Sequence, residues 1–334
     1  MQIDFRASPR PTLGVEWEFA LVDTETRDLS NTADALFEAV QPRLDEPGKL
    51  HKELLRNTVE VVTGVCDTVE EAMADLRGTL GVVLPVAERL GVDLFGAGTH
   101  PFAAWSHQNI TSGHRYEELI NRTQWWGRQM LIWGVHVHVG MPDVSRVMRV
   151  LSALLNTYPH LQALSASSPV WAGTDTGYAS NRALMFQQLP TAGLPFQFDT
   201  WPEFESFAQD HLVTGVIDDL TEIRWDVRPA CHLGTIENRV CDGVSTLEEL
   251  AALTALMHCL VVDLDCRAAA GEELPTLPPW HVQENKWRAA RYGLEAEIIL
   301  DADSNERLVT DDLADLLTRL EPVAARLGCA DELR

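Results

Sequence analysis

Basic residues are scarce in this chain: 26 Lys and Arg stand against 50 Asp and Glu, a formal net charge of −24. A field of that sign repels nucleic acid and anionic lipid surfaces, so neither is expected as a partner. It would repel a nucleotide too, unless cations and a local basic cluster reverse it inside a pocket. Long apolar runs are missing as well, and nothing approaches the roughly 20 residues that cross a bilayer. The amino-terminal stretch MQIDFRASPRPTLGVEWEF has no charged-then-apolar signal pattern, so a cytoplasmic protein is expected. The six cysteines form no CxxC pair and no zinc-ribbon spacing, which leaves free buried thiols as the expectation. GxxxxGK[ST] and GxGxxG are both absent, so P-loop and Rossmann routes to a nucleotide are excluded at the level of motifs.

What is present is an ordinary globular composition, with 46% hydrophobic and 23% charged residues over 334 positions. Without repeats, low-complexity segments or an obvious linker, the chain is expected to form one domain, 1–334. Capping boxes at Thr68–Glu71 and Ser245–Glu248 predict helices running to about Leu90 and about Ala270. Pro142-Asp143 leads into a helical VSRVMRVLSALLNTY, and Thr310–Leu327 is amphipathic.

Five segments read as strands: 13–21 (LGVEWEFAL), 58–64 (TVEVVTG), 134–140 (GVHVHVG), 222–228 (EIRWDVR) and 234–240 (GTIENRV). The period of two places Val15, Trp17 and Phe19 against Glu16 and Glu18, and Val59 and Val61 against Glu60. It places Val135, Val137 and Val139 against His136 and His138. Ile223, Trp225 and Val227 oppose Arg224, Asp226 and Arg228, and Ile236 and Val240 oppose Glu237 and Arg239. A merely solvated sheet face usually carries Thr, Ser, Lys and Gln; these faces carry Glu, Asp, His and Arg. The expected fold is therefore α+β: a curved antiparallel sheet with helices on its apolar face and a charged trough on the other.

Glu16, Glu18, Glu60 and Glu237 brought together would repel unless a divalent cation sat among them, and hard carboxylate oxygens suit Mg²⁺ or Mn²⁺. His136 could add one nitrogen; a zinc site would draw more His or Cys. Arg228 and Arg239 share the polar faces, and Lys286, Arg288 and Arg291 form a further basic cluster. Guanidinium forks beside carboxylate-bound metal are what a phosphoryl group requires.

Eight motifs in order, GVEWEF, VEVVTG, GVHVHVG, SPVWAGTDTGYASNR, PTAGLP, DVRP, GTIENRVCD and ENKWRAARYGLEA, resemble the type 2 glutamate–cysteine ligase (carboxylate–amine ligase) family. That family belongs with the glutamine synthetase and guanidino kinase superfamily. The resemblance implies that superfamily's catalytic-domain fold, ATP, two or three Mg²⁺ (or Mn²⁺) ions and an acyl-phosphate intermediate. It further implies Glu16 and Glu18 as metal ligands, Glu53 and Glu60 as a second acidic pair, and His136 and Glu237 as ligands of the ion nearer the phosphates. Arg228 and Arg239 resemble phosphate contacts; Arg182, Lys286 and Arg288 resemble cofactor or substrate contacts. The substrates implied are a glutamate-like carboxylate and a cysteine-like amine, and superfamily analogy favours a homo-oligomer. His138 could be a direct ligand, a supporting residue or the base that deprotonates the amine. Asn238 stands where an aliphatic residue is expected. The competing readings are a kinase of the same fold and, from another class, a metal-dependent hydrolase using the HxH strand.

Overall fold

A computed structural model describes residues 2–334. Its strands are β1 (Leu13–Asp23), β2 (Leu50–Lys52), β3 (Thr58–Val62), β4 (Val92–Phe95), β5 (Gly134–Gly140), β6 (Val170–Trp171), β7 (Thr174–Asp175), β8 (Val227–Ala230), β9 (Thr235–Asp242), β10 (Glu297–Ile299) and β11 (Glu306–Leu308). Seven form one sheet in the order β2-β3-β1-β5-β9-β8, with β4 on the far half of β1 at Ala20–Asp23. Every pairing in it is antiparallel, as the alternating segments predict.

One face of this sheet is dry. Val15, Trp17, Phe19, Val59, Val61, Val135, Val137, Val139, Ile236 and Val240 belong to one core cluster with the helices Val69–Arg89, Val144–Leu154 and Leu247–Ala269. Each fully buried side chain of this kind contributes roughly 1.5–3 kcal/mol, so a one-residue slip of register would forfeit most of the core. The Leu247–Ala269 helix lies against β5 and also packs on the helices Val69–Arg89, Val144–Leu154 and Val309–Leu327. Among the described residues no helix is long and apolar enough to cross a membrane.

The structure departs from the sequence reading in two places. The segment 222–228 is strand only from Val227; Leu220–Glu222 is a 3₁₀ turn. Asp226 spends its backbone groups elsewhere, its N–H on Gly193 O at 2.8 Å and its C=O on the Arg239 N–H at 2.7 Å. Alternation therefore does not govern Asp226, whose side chain is buried away from the trough. Pro229 sits in β8, an edge strand, where a missing N–H is tolerated. Second, the long helix is capped one residue later than expected, by Thr246 with Glu249, because the Ser245 hydroxyl is committed to Gly96 O at 2.8 Å. The Thr68 cap forms as read, Thr68 Oγ1 accepting from Glu71 N, but the box does not close on the cap residue: Glu71 Oε2 accepts from Asp67 N, one position earlier.

A bulge lies between β5 and β9. Val135 pairs with Cys241 and Val137 with Asn238, so two steps on β5 face three on β9. The unexpected Asn238 serves this irregularity: it is buried, and its Oδ1 accepts the Val240 N–H at 3.1 Å. Replacing Thr246 with Ala should lower the unfolding free energy by ~1 kcal/mol in denaturant titration. Ser245→Ala, which leaves the cap intact, should leave the helix signal in far-UV circular dichroism unchanged; equal losses from both would place the cap wrongly.

Candidate active site

Alternation along β1 sends Trp17 into the core and Glu16 and Glu18 upward, and the neighbouring strands are registered to match. Glu18 pairs with Glu60, Glu16 with His136, and His138 with Glu237, which in turn pairs with Arg228. Together they floor a cavity of about 870 Å³, walled by Glu53, Arg115, Tyr116, Phe186, Arg224 and Arg239 among others. Such a volume is ample for a nucleotide-sized ligand with a small acid.

Hydrogen bonds tie the floor together. Glu16 spans both histidines, with Oε2 at 2.7 Å from His136 Nδ1 and Oε1 at 3.1 Å from His138 Nε2. His138 Nδ1 meets the Thr235 hydroxyl at 2.9 Å, and Glu18 accepts the Gly134 N–H at 2.6 Å. Glu237 receives Arg228 through Nε at 2.6 Å and Nη2 at 3.3 Å, and Arg239 through Nη1. Arg182 lies on the trough face of β5, where a Cβ at position 134 would fall 2.0 Å from its Nη2; only glycine leaves room. Its Nη2 stands 3.4 Å from His136 Nε2, and its Nη1 donates to Arg239 O at 2.9 Å.

Charge is unevenly balanced across this floor. Burial alone would raise Glu237, but Arg228 and Arg239 reverse the effect and hold it far below the carboxylate range. Burial would likewise raise Glu16, but bonds from His136 and His138 keep it well below. Across the strands the balance is opposite. Burial, then the charge of Glu16, pushes Glu60 well above the usual range, and burial with Glu18 pushes Glu53 up to about 7. His136 is lowered by burial and by Arg239. His138, although burial opposes it, is raised by Glu237 and Glu16. Among the described residues the one basic group within 4.0 Å of Glu60 is His136 Nδ1, at 4.0 Å.

This is a donor set short of positive charge. Ligand atoms of Glu16, Glu60 and His136 all lie within 4.8 Å of one another, and so do those of Glu16, His138 and Glu237. Carboxylate oxygens with one imidazole nitrogen suit a hard divalent cation, which would remove the repulsion that raises Glu53 and Glu60. The first group could hold one with charge to spare. In the second, Glu237 is already paired with two guanidinium groups.

Of the residues singled out from sequence, Glu16, Glu18, Glu53, Glu60, His136, Glu237, Arg228 and Arg239 line the one cavity. Arg182 touches that floor at the His136 ring, on the same face of the sheet. Lys286 and Arg288 do not reach it, which corrects the expectation of cofactor contact for both. Lys286 Nζ is buried against Asp226 Oδ2 at 2.7 Å, with the Tyr158 hydroxyl on the same oxygen at 3.0 Å. Arg288 is held at the protein edge by Glu284 at 2.9 Å and Glu306 at 2.6 Å. Arg115 and Tyr116 were not singled out from sequence: their helix, His114–Thr123, carries a stripe of Tyr116, Leu119, Ile120 and Thr123, but a stripe does not tell which cavity its flanking residues meet.

Solved structures with this architecture define the class. The fold matches glutamate–cysteine ligase from Francisella tularensis in complex with AMP, with a TM-score of 0.72 at 14% identity over 99% of this chain and 81% of that one. It also matches a bifunctional glutathione synthetase from Pasteurella multocida, at 0.64, 16% identity, and 97% and 45% coverage. The molecule thus has the fold of these two ligase structures. It belongs to glutamate–cysteine ligase family 2 (GCS2), whose profile matches residues 12–334. Relatives include the "Putative glutamate--cysteine ligase 2-3" of a Nocardioides species, 74% identical over all of this chain and 89% of that protein. The "Putative glutamate--cysteine ligase 2" of Mycobacterium ulcerans is 70% identical over 99% of this chain and 84% of that protein.

The charge imbalance has a measurable sign. The folded pKa of Glu53 lies above its ordinary 4.5, so its ionisation opposes folding. That cost is absent below pH 4.5 and grows as pH rises towards about 7. In metal-free protein, Glu53→Gln should therefore gain ~1–3 kcal/mol over the parent above pH 7, with the gain vanishing below pH 4.5. A difference independent of pH in thermal unfolding scans would contradict this electrostatic account.

Proposed function

We propose that this protein is an ATP-dependent carboxylate–amine ligase that forms an amide through an acyl phosphate, with a glutamate-like acid and a cysteine-like amine as substrates. The observation that carries this reading is the pairing, within one cavity, of a cation-deficient carboxylate cluster with the Arg228–Glu237–Arg239 clamp. Triphosphate chemistry needs both halves: positive charge on the phosphate oxygens and fixed donors where charge develops. Names of relatives and the AMP bound to the Francisella enzyme support ATP and the amino-acid substrates in the same direction.

In the first step a substrate carboxylate oxygen attacks the γ-phosphorus of ATP and ADP departs. In the second the amine nitrogen attacks the acyl carbon and phosphate departs. Arg239 and Arg228 are held rigid by Glu237, so their outward N–H groups are aligned before substrate arrives. Glu16, Glu60 and His136 are the first-choice ligands for Mg²⁺ (or Mn²⁺), with Glu18 and Glu53 beside them and Glu237 in the second group. A bound cation there supplies the charge that lets phosphate oxygens approach so acidic a floor. The incoming ammonium must lose a proton before it attacks, to a carboxylate of the floor or to His138.

Incubation with ATP, Mg²⁺, glutamate and hydroxylamine should yield glutamyl hydroxamate and ADP in equal amounts. Arg239→Met should lower the rate by about 10²–10³ while circular dichroism stays native. ADP without hydroxamate would indicate a kinase or ATPase of the same fold. No ADP with any carboxylate would refute the reading.

A further inference from the structure

Behind the clamp lies a buried set of charges that no step of the reaction touches. Lys286 Nζ, on the helix Pro279–Tyr292, stands 2.7 Å from Asp226 Oδ2, and the two side chains are only 4% and 3% exposed. The Tyr158 hydroxyl, from the helix Tyr158–Ser165, donates to the same oxygen at 3.0 Å. Burial, then the charge of Asp226, pushes the Tyr158 phenol well above its usual range, so it stays a donor. Taking two charges out of water costs much of what their attraction returns, and a well-packed apolar trio would hold these helices together equally well. What the ionic set adds is a fixed position for one carboxylate, and through it for one stretch of backbone.

That backbone carries the clamp. Residues 221–226 precede β8, so the ladder of the main sheet does not set their place. Asp226 is the point of attachment: its N–H donates to Gly193 O at 2.8 Å, and its C=O accepts the Arg239 N–H at 2.7 Å. The Arg228 guanidinium takes its direction from the same segment, with Nη1 donating to Thr221 O and Ile223 O, each at 2.8 Å. Asp226 is thus bonded to the main chain of one clamp arginine and sits in the segment that aims the other. A shift of its carboxylate would move both guanidinium groups relative to Glu237.

We propose that Asp226, pinned by Lys286 and Tyr158, is a positioning residue: without touching substrate, it sets the spacing of Arg228 and Arg239 that stabilises the transferring phosphoryl group. The assignment rests on the ligase reading for what the clamp grips. A misplacement of about 1 Å in such donors can cost a hundredfold in rate, whereas ground-state binding is spread over many contacts. The buried set should therefore act on kcat and leave KM alone.

Hydroxamate and ADP formation by the whole protein, with ATP, Mg²⁺, glutamate and hydroxylamine, is measured alongside the melting temperature. Lys286→Met combined with Asp226→Asn removes both charges, leaves neither unpaired and keeps an acceptor for Tyr158. This double variant should melt close to the parent and lose kcat roughly ten- to hundredfold, with the KM for ATP and for glutamate unmoved. Tyr158→Phe deletes one hydrogen bond and keeps the ion pair, and should lose kcat about two- to tenfold in the same way. Three outcomes overturn the assignment: a double variant that turns over like the parent, a raised KM with kcat unchanged, or a kcat that falls only in step with the melting temperature. Should the double variant not fold, Tyr158→Phe decides: a parent-like kcat overturns the assignment, and a lowered kcat at the parent's melting temperature supports it. A parent that releases ADP without hydroxamate refutes the ligase reading, and ADP release then supplies the kcat by which the positioning role is judged. A parent that releases no ADP refutes both.

Discussion

Four glutamates crowd one face of a sheet whose other face is dry, and most of the site follows from that constraint. Glu16, Glu18 and Glu60 cannot turn away, because the alternate residues Val15, Trp17, Val59 and Val61 are locked in the core. Any slip that relieved the repulsion would expose those side chains, at a cost far above what like charges exact in a half-buried trough. Burial first, and that repulsion after it, raise the proton affinity of Glu53 and Glu60 in the folded protein, and a cation would relieve the repulsive part.

The other half of the floor is neutralised from within. Glu237 is wrapped by two guanidinium groups, and Glu16 is shared by two histidines, so neither shows the elevation of its neighbours. Arg182 and the β9 bulge serve this half. Arg182 fills the space that Gly134 leaves and meets the His136 ring, while the bulge re-aims β9 after Arg239. The result is a floor with an acidic end that asks for positive charge and a basic end that asks for negative charge. A metal–phosphate pair spans such a gradient naturally.

Strand alternation made the floor legible from residues alone, because one buried face dictates where its opposite points. Val137 between His136 and His138 is enough to place both rings upward. Lys286 and Arg288 were misplaced because a basic cluster on a helix carries no such constraint. Two positions along a helix is a different face and, here, a different environment: Asp226 in the interior for Lys286, Glu306 at the edge for Arg288. Asp226 itself was misread since the chain joins the sheet only at Val227, and no period-two pattern reveals where pairing starts. Arg115 lay beyond reach for a similar reason. Its place in the cavity wall depends on how its helix is seated, a tertiary fact with no local signature.

Anomalous diffraction from a crystal equilibrated with Mn²⁺ tests the central claim most directly. The account predicts a peak within coordination distance of Glu16, Glu60 and His136, at the end of the floor where carboxylates lack partners. A crystal saturated with Mn²⁺ that shows no peak among these three residues would contradict it.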